Sequence, residues 1–444
     1  MLVESFSGIR GVYGKDLTDE VIAKYGTAFF EFLSRESAKE PIIVVGTDTR
    51  PSAQDVKKEL ISCFSNVIDV GFASTPAIEN AVREYNADGG VIITASHNEP
   101  QFNGFKFLDN DGAVLRVEDS RALINECHEL CCSEKKETKV EDKNDDCIAK
   151  YYDFIKSVVG DVKLNVKVVI DSNGGTGYLA ENILKELGVE VILVNSTLGE
   201  FVHKVEPNQE SLSYLKDVIK EYNADLAAGF DCDADRVELV DKEGKVISGQ
   251  YLLALIVDDV LSSKKGTVVT NDATSGVVKE IVSKHGSELK EVEVGEINVV
   301  DEMLKVNSPI GGEGSSSGGI YPPSRCRDGI LTLISILKII QKKDKSLNEL
   351  IDDLPKYFTL REKISIKPED YDKIRNKIEE YYKNKNYKIQ KTGDITGGLK
   401  AYLDDSSWVW FRVSKTEAGV FRIFSDSNDL DKAKQMIKEA KGLF

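Results

Sequence analysis

The chain has 444 residues, a net charge of −17 and a hydrophobic fraction of 41%, with an isoelectric point near 4.9. That length asks for three or four domains, and the charge excludes nucleic-acid binding through a general basic face. No run approaches the ~18 uncharged apolar residues of a membrane span, and Met1–Gly11 has neither the basic nor the apolar region of a secretion signal, so a cytoplasmic protein with no membrane or nucleic-acid partner is expected.

In chain order, one pattern recurs three times: apolar strand, polar turn, helix, second strand, then a third strand ending in a Gly- or Asp-rich loop. The first strands are expected at Ile42–Gly46, Val166–Ile170 and Thr267–Thr270. Second strands follow at Val67–Val70, Val189–Val194 and Glu291–Val294, and third strands at Val91–Thr94, Leu226–Gly229 and Pro309–Ile310. A helix at Tyr178–Leu187 shows the apolar spacing of the connecting elements. Strands alternating with helices imply α/β units whose sheets are covered on both faces, with ligands at the carboxyl ends of the strands. The charged stretch Ser133–Asp146 reads as a linker, Val237–Ile247 as a hairpin, and Tyr357–Phe444 as an α+β part with antiparallel strands. The expected architecture is therefore α/β: three similar mixed domains, over 1–145, 146–248 and 249–355, plus a C-terminal α+β domain over 356–444, around a central cleft.

The third-strand loops carry the chemistry. In TASHN, residues 94–98, Ser96 and His97 are neighbours, which rarely makes a nucleophile–base pair, and no G-x-S-x-G elbow surrounds them. The alternative is that Ser96 accepts a phosphoryl group, nearly two negative charges that require a cation and donors. Lys106, further along the same loop, suits a proton acceptor or phosphate contact. DCDADR, residues 231–236, alternates Asp231, Asp233 and Asp235 around small residues. Three such carboxylates repel unless a divalent cation sits among them. An EF-hand is excluded by Arg236 at position six and Lys242 at position twelve, and Arg236 offers a phosphate donor beside the metal.

GGEGSSSGG, residues 311–319, has the composition of a flexible linker, but it lies between apolar strands, and Glu313 with its serines suits a hydroxyl-rich ligand. RVSKTEAGVFR, residues 412–422, brackets a Gly-containing turn with Arg412, Ser414, Thr416 and Arg422, as a phosphate-binding nest would. Gly175-x-Gly177-x-x-Ala180 imitates a dinucleotide fingerprint, but the second strand ends at Asn195 rather than at an acid suited to a ribose. Of seven cysteines, Cys127, Cys131 and Cys132 cluster, a spacing that fits neither zinc nor a disulfide scaffold. All seven are read as reduced thiols.

TASHN with NGFK, DCDADR, GGEG-S and RVS-TE, in that order and with SGIRG at Ser7–Gly11 and the run Gly46, Asp48, Arg50, resemble the α-D-phosphohexomutase family over the whole chain. The resemblance implies a mutase acting on small-molecule sugar phosphates. Phospho-Ser96 would donate to a hexose monophosphate, the bisphosphate would turn over in the cleft, and its other phosphate would return to the serine, with domain closure excluding water. It implies Mg²⁺ on Ser96, Asp231, Asp233 and Asp235, with Arg10, Lys106 and Arg236 at the reacting end. Glu313 and Ser315 would hold sugar hydroxyls, and Arg412, Ser414 and Thr416 the far phosphate, with His97 and Arg422 also binding substrate. His203 in FVHKVEP matches the family loosely. Three departures stand out: Cys232 replaces a usual Gly, which requires a negative φ; Glu99 replaces a common Pro; and the SSSGG loop lacks a histidine. Glucosamine phosphate is the favoured sugar, with a dual glucose/mannose enzyme as runner-up. The rivals in other classes are a Mg²⁺-dependent phosphatase and a non-catalytic sugar-phosphate sensor. Oligomeric state has no signature in these residues.

Overall fold

The computed structural model describes residues 2–35, 39–131, 133–314, 317–414 and 419–444. They form two compact bodies, one of residues 1–248 and 318–347, the other of 249–317 and 348–444. The repeat in the sequence appears as one local strand order used three times. In the first body, Gly89–Ile93, Ile42–Thr47 and Asn66–Phe72 lie side by side, as do Leu226–Phe230, Lys167–Asp171 and Glu190–Val194. In the second, Gly311–Gly312, Val268–Asn271 and Leu289–Val292 repeat it. Each time the third strand pairs parallel with the first and the first with the second. The Val/Ile runs are near-continuously buried, as parallel strands covered by helices must be.

In the first body two sheets extend these triplets. Phe102–Leu108, Gly8–Val12 and Val3–Ser5 add antiparallel strands to one, and the hairpin Val237–Val240 with Val246–Ile247 adds to the other. Helix Asp19–Ser34 is capped by the Thr18 side chain, carries Asp19 and Glu20 in its first turn, and buries one face. That face meets Phe105 and Phe107 from the sheet, with the Phe29 and Phe107 rings 4.7 Å apart. Gly104 is forced by close approach, since a Cβ there would stand 1.8 Å from the Ile9 carbonyl oxygen.

Residues 358–427 of the second body form an antiparallel sheet in the order Phe358–Ser365, Val420–Ser427, Ser407–Val413, Leu399–Asp404, Lys388–Lys391. Helices Tyr371–Asn384 and Leu430–Lys441 bring Ile378, Tyr382, Met436 and Ile437 onto a core with Phe411 and Phe421. The other sheet face packs Trp408, Trp410 and Phe424 against Ala273.

Three expectations are corrected. Ser133–Asp146 is more than a linker: Lys139–Asp142 is an edge strand parallel to Asn66–Phe72, exposed at every residue. An edge strand with no buried face needs no apolar pattern, so charge concealed it. The third strand of the last unit is Gly311–Gly312 rather than Pro309–Ile310. The helix expected from Tyr178 opens as a 3₁₀ turn over Thr176–Leu179 and is α-helical over Ala180–Glu186. Among the described residues, no helix is long and apolar enough to cross a membrane.

Candidate active site

In the first body the loops after Gly89–Ile93 and Leu226–Phe230 both leave the carboxyl ends of central strands, and they meet. Ser96, 2% exposed, sits in the left-handed region at φ 52°, a conformation a non-glycine residue adopts only when its surroundings impose it. Its Oγ donates to Asp231 Oδ2 at 3.2 Å and lies 3.4 Å from His97 Nδ1. Ala234, also at φ 52°, turns the second loop so that Asp231, Asp233 and Asp235 converge, with one ligand atom from each within 4.8 Å of the others. Cys232 is not among the positive-φ residues, so its side chain costs the backbone nothing.

Lys106, on strand Phe102–Leu108, donates to Asp233 Oδ2 at 2.9 Å and Asp235 Oδ2 at 3.1 Å. Asp233 Oδ2 also accepts from Thr75 Oγ1 at 2.7 Å, and Asp235 Oδ2 from Arg327 Nη2 at 3.2 Å. Arg236 Nε stands 3.9 Å from Asp231 and 3.7 Å from Asp235, ion pairs too long for hydrogen bonds. Arg10 donates to Asn98 Oδ1 at 3.3 Å. The structure thus gathers Arg10, Ser96, His97, Lys106, Asp231, Asp233, Asp235 and Arg236. Arg327 and Thr75 were not singled out in the sequence. Their signal is only an Arg beside an N-capping Asp and a Thr opening a helix.

The electrostatics follow from this crowding. Burial, then the charges of Asp235 and Asp233, push the Asp231 carboxyl well up. Burial would raise Asp235 as well, but Lys106, Arg327 and Arg236 outweigh it and hold that carboxyl below the ordinary range. Arg236, then burial and Arg10, keep the His97 imidazole well below its usual value, hence neutral. Asp233 Oδ1 and Asp235 Oδ1 are buried with no hydrogen-bond partner. Two orphaned hard oxygens beside a serine hydroxyl and a third carboxylate are the donor set a Mg²⁺ ion takes, so the residues present fit that ion.

The dinucleotide look-alike has a packing explanation. A Cβ at Gly175 would stand 2.8 Å from the Cys232 carbonyl oxygen, and one at Gly177 2.8 Å from the Phe230 side chain. These glycines admit the aspartate loop itself. His203 is bound to Asp171, with Nε2 2.7 Å from Oδ2. Burial pushes the Cys127 and Cys147 thiols up to about 12, the opposite of a redox-active cysteine, and Cys63, Cys127, Cys131, Cys147, Cys232 and Cys326 are in the thiol form rather than in disulfides. Cys132 lies outside the described residues.

In the second body Glu313 Oε1 accepts from Asn271 Nδ2 at 3.0 Å and from the Gly295 N–H at 2.9 Å. Arg412, 7% exposed, donates to Glu293 Oε1 at 3.1 Å. Arg412 and Arg422 are directly opposite in the antiparallel ladder, which puts both side chains on one face of the sheet. Ser414 is buried, and its N–H donates to the Val420 carbonyl. Ser315 and Thr416 lie outside the described residues.

Comparison with known proteins gives consistent matches. Residues 4–130, 149–244 and 248–358 match the families described as phosphoglucomutase/phosphomannomutase, alpha/beta/alpha domains I, II and III. A phosphoglucomutase/phosphomannomutase of Thermococcus kodakarensis is 38% identical over 97% of this chain and 96% of its own length. A probable phosphoglucosamine mutase of Pyrococcus horikoshii is 33% identical over 98% of this chain and 96% of its own. The crystal structure of a putative phosphomannomutase from Thermus thermophilus superposes with a TM-score of 0.81 at 23% identity, covering 100% of this chain and 98% of that one.

Proposed function

This chain belongs to the phosphoglucomutase/phosphomannomutase family, the α-D-phosphohexomutases, and is a phosphosugar mutase; we propose that it interconverts hexose 6-phosphate and hexose 1-phosphate through phospho-Ser96 and a bisphosphorylated sugar. The observation that carries the reading is the Ser96 hydroxyl 3.2 Å from one of three converging aspartates. In the first step the bond between phosphorus and Ser96 Oγ breaks, a bond from phosphorus to a sugar hydroxyl oxygen forms, and the proton of that hydroxyl passes by way of a base to the departing Oγ. In the second the bond between the other phosphate and its sugar oxygen breaks, phosphorus bonds to Oγ, and the Oγ proton passes back to the sugar oxygen that leaves. Mg²⁺ held by Asp231, Asp233 and Asp235 supplies charge neutralisation for the transferring group. Lys106, Arg10, Arg236 and Arg327 add fixed positive charge around the same point. His97 Nδ1 faces Ser96 Oγ and, with Lys106, is a candidate for holding the proton. Glu313 and Ser315 are assigned to the sugar hydroxyls, and Arg412, Ser414, Thr416 and Arg422 to the phosphate that does not react. The opposed pair Arg412 and Arg422 supports that assignment, because two guanidinium groups on one face of the sheet can both donate to one phosphate.

For the sugar, the 38% identical relative named phosphoglucomutase/phosphomannomutase favours glucose and mannose phosphates. Glucosamine phosphate, favoured by the sequence analysis, is the second reading and is supported by the 33% identical relative. The test is turnover of the 1-phosphates of glucose, mannose and glucosamine by purified protein with Mg²⁺, alongside inorganic phosphate release and mass spectrometry of Ser96. Isomer without phosphate release, and phosphate on Ser96, are expected. Stoichiometric release of inorganic phosphate would make the protein a phosphatase instead.

A further inference from the structure

Ser96 is held in an unfavourable backbone conformation, and one side chain accounts for how. Arg50 has no side-chain exposure and five N–H donors, all of them used. Nε donates to Asp48 Oδ2 at 3.0 Å. Nη1 donates to the carbonyls of Glu99 at 2.7 Å and Phe102 at 3.0 Å. Nη2 donates to the carbonyls of Ser96 at 2.5 Å and Asn98 at 2.6 Å. Four carbonyls of one loop therefore turn inward onto a single planar cation. Asp48 completes the device: its Oδ1 accepts from the Arg50 N–H at 3.0 Å, and its Oδ2 accepts from Thr94 Oγ1 at 2.6 Å. Thr94 Oγ1 in turn accepts from the Ser96 N–H at 2.8 Å. Both peptide groups flanking the Ser96 Cα are thus fixed, one through Thr94 and one by Arg50. The residue between, Thr49, donates to the Gly174 carbonyl at 2.6 Å and has its Oγ1 3.8 Å from Cys232 Sγ. The same run, Asp48–Arg50, therefore touches the serine loop on one side and the aspartate loop on the other.

We propose that Arg50 is the positioning residue that aims the Ser96 hydroxyl, and the phosphate it carries, at Asp231 and its neighbours. This rests on the phospho-Ser96 reading above. Arg50 touches no reacting atom. It acts by dictating the direction of the Ser96 and Asn98 carbonyls, and hence of the Ser96 side chain on the opposite side of the backbone. A lysine retains the charge but not the planar fork, with three donors on one nitrogen instead of five on three, so it cannot satisfy four carbonyls and Asp48 together.

The test uses the full-length enzyme with Mg²⁺ and the hexose 1-phosphate it turns over fastest. Arg50→Lys is expected to lower kcat by roughly 100-fold while KM stays within about threefold, the split expected when transition-state geometry rather than substrate binding is lost. Arg50→Gly is expected to regain at least about tenfold of its lost kcat, saturably, in tens of millimolar guanidinium, without matching recovery in ammonium or sodium at equal ionic strength. Guanidinium is a denaturant, so a residue that merely stabilised the fold would give further loss. Should Arg50→Gly not fold, Arg50→Lys decides alone. The assignment is overturned by Arg50→Lys turning over within about threefold of the parent, or by a folded Arg50→Gly that guanidinium leaves inactive. Ser96→Ala, run in parallel, separates the two claims. If it is inactive while Arg50→Lys is fast, only the Arg50 assignment fails. If it stays active, the phosphoserine reading fails and takes this one with it.

Discussion

Around Ser96, three aspartates share one buried cluster with Lys106, Arg10, Arg236 and Arg327, whereas two buried cations of the second body each meet a single carboxylate. There Arg412 meets Glu293, and Lys400 meets Glu291. One-to-one pairing is what a structural role requires, because an unpaired buried charge is costly. The shared cluster leaves carboxylate oxygens without partners and brings one more cation than acid. A phosphate dianion and a divalent cation added together leave that balance unchanged, while either alone shifts it by two charges. On the function proposed above, the first region receives both at once, and the second holds its shape until the phosphate that does not react competes with Glu293 for Arg412.

The sharpest way to break this comparison is to remove the hydroxyl the shared cluster serves. Ser96→Ala should leave turnover at or below about 10⁻⁴ of the parent in a coupled assay for the 6-phosphate, with melting temperature nearly unchanged. Turnover above about one-tenth of the parent would separate the cluster from the chemistry. Asp233→Asn comes next. It should lower kcat by roughly 10²–10³ and raise half-saturation by Mg²⁺ at least about tenfold, and lower the melting temperature as well, since buried Lys106 loses one of its two carboxylate partners. A variant that loses stability but keeps its Mg²⁺ response would make the aspartates structural. In the second body Arg412→Ala should act differently, raising KM about 10- to 100-fold with kcat changed by less than about fivefold, the pattern of lost uniform binding. A kcat loss of the size seen at Asp233 would erase the distinction between the regions.

What was legible in the sequence divides along the same line. Ser96 and the three aspartates stand in short contiguous motifs whose chemistry explains their composition, so spacing alone suggested a metal and a phosphate. The threefold recurrence of strands and helices followed from Val/Ile runs that only a doubly covered sheet needs, while the order of the strands within each sheet came from the structure. Arg327, 92 residues from Asp235 in the chain, and Thr75, 158 residues from Asp233, became functional candidates only through tertiary proximity. Strand Phe358–Ser365 escaped because its outward positions are charged, Arg361 and Lys363 among them, and strand Lys388–Lys391 because it is short and flanked by lysines. The sugar could not be read because discrimination at a single carbon depends on one hydrogen-bonding pair, and the Ser315 segment that would carry it has no periodicity.

The smallest effect comes from a carboxylate in the first body that resembles Asp235 in burial and differs in company. Asp328 is fully buried and caps helix Gly329–Lys343. Its Oδ1 accepts from the Leu331 N–H and the Tyr151 hydroxyl, both at 2.8 Å, while its Oδ2 has no hydrogen-bond partner. Without a cation to offset it, burial raises its carboxyl to about 6 from 3.8, the reverse of Asp235 among Lys106, Arg327 and Arg236. An acid whose folded value lies above its unfolded value binds more protons folded than unfolded, so stability falls as pH rises from about 4 to about 6 and levels beyond. The penalty is about 1.5 kcal/mol at pH 5 and about 3 kcal/mol at pH 7.5 by linkage. Asp328→Asn preserves both Oδ1 contacts and removes the titration. Its stability relative to the parent, from urea unfolding, should therefore improve by about 1.5 kcal/mol between pH 5 and pH 7.5. A difference that does not change with pH would mean that Asp328 is already charged in the folded protein, and that burial without cations does not set these two aspartates apart.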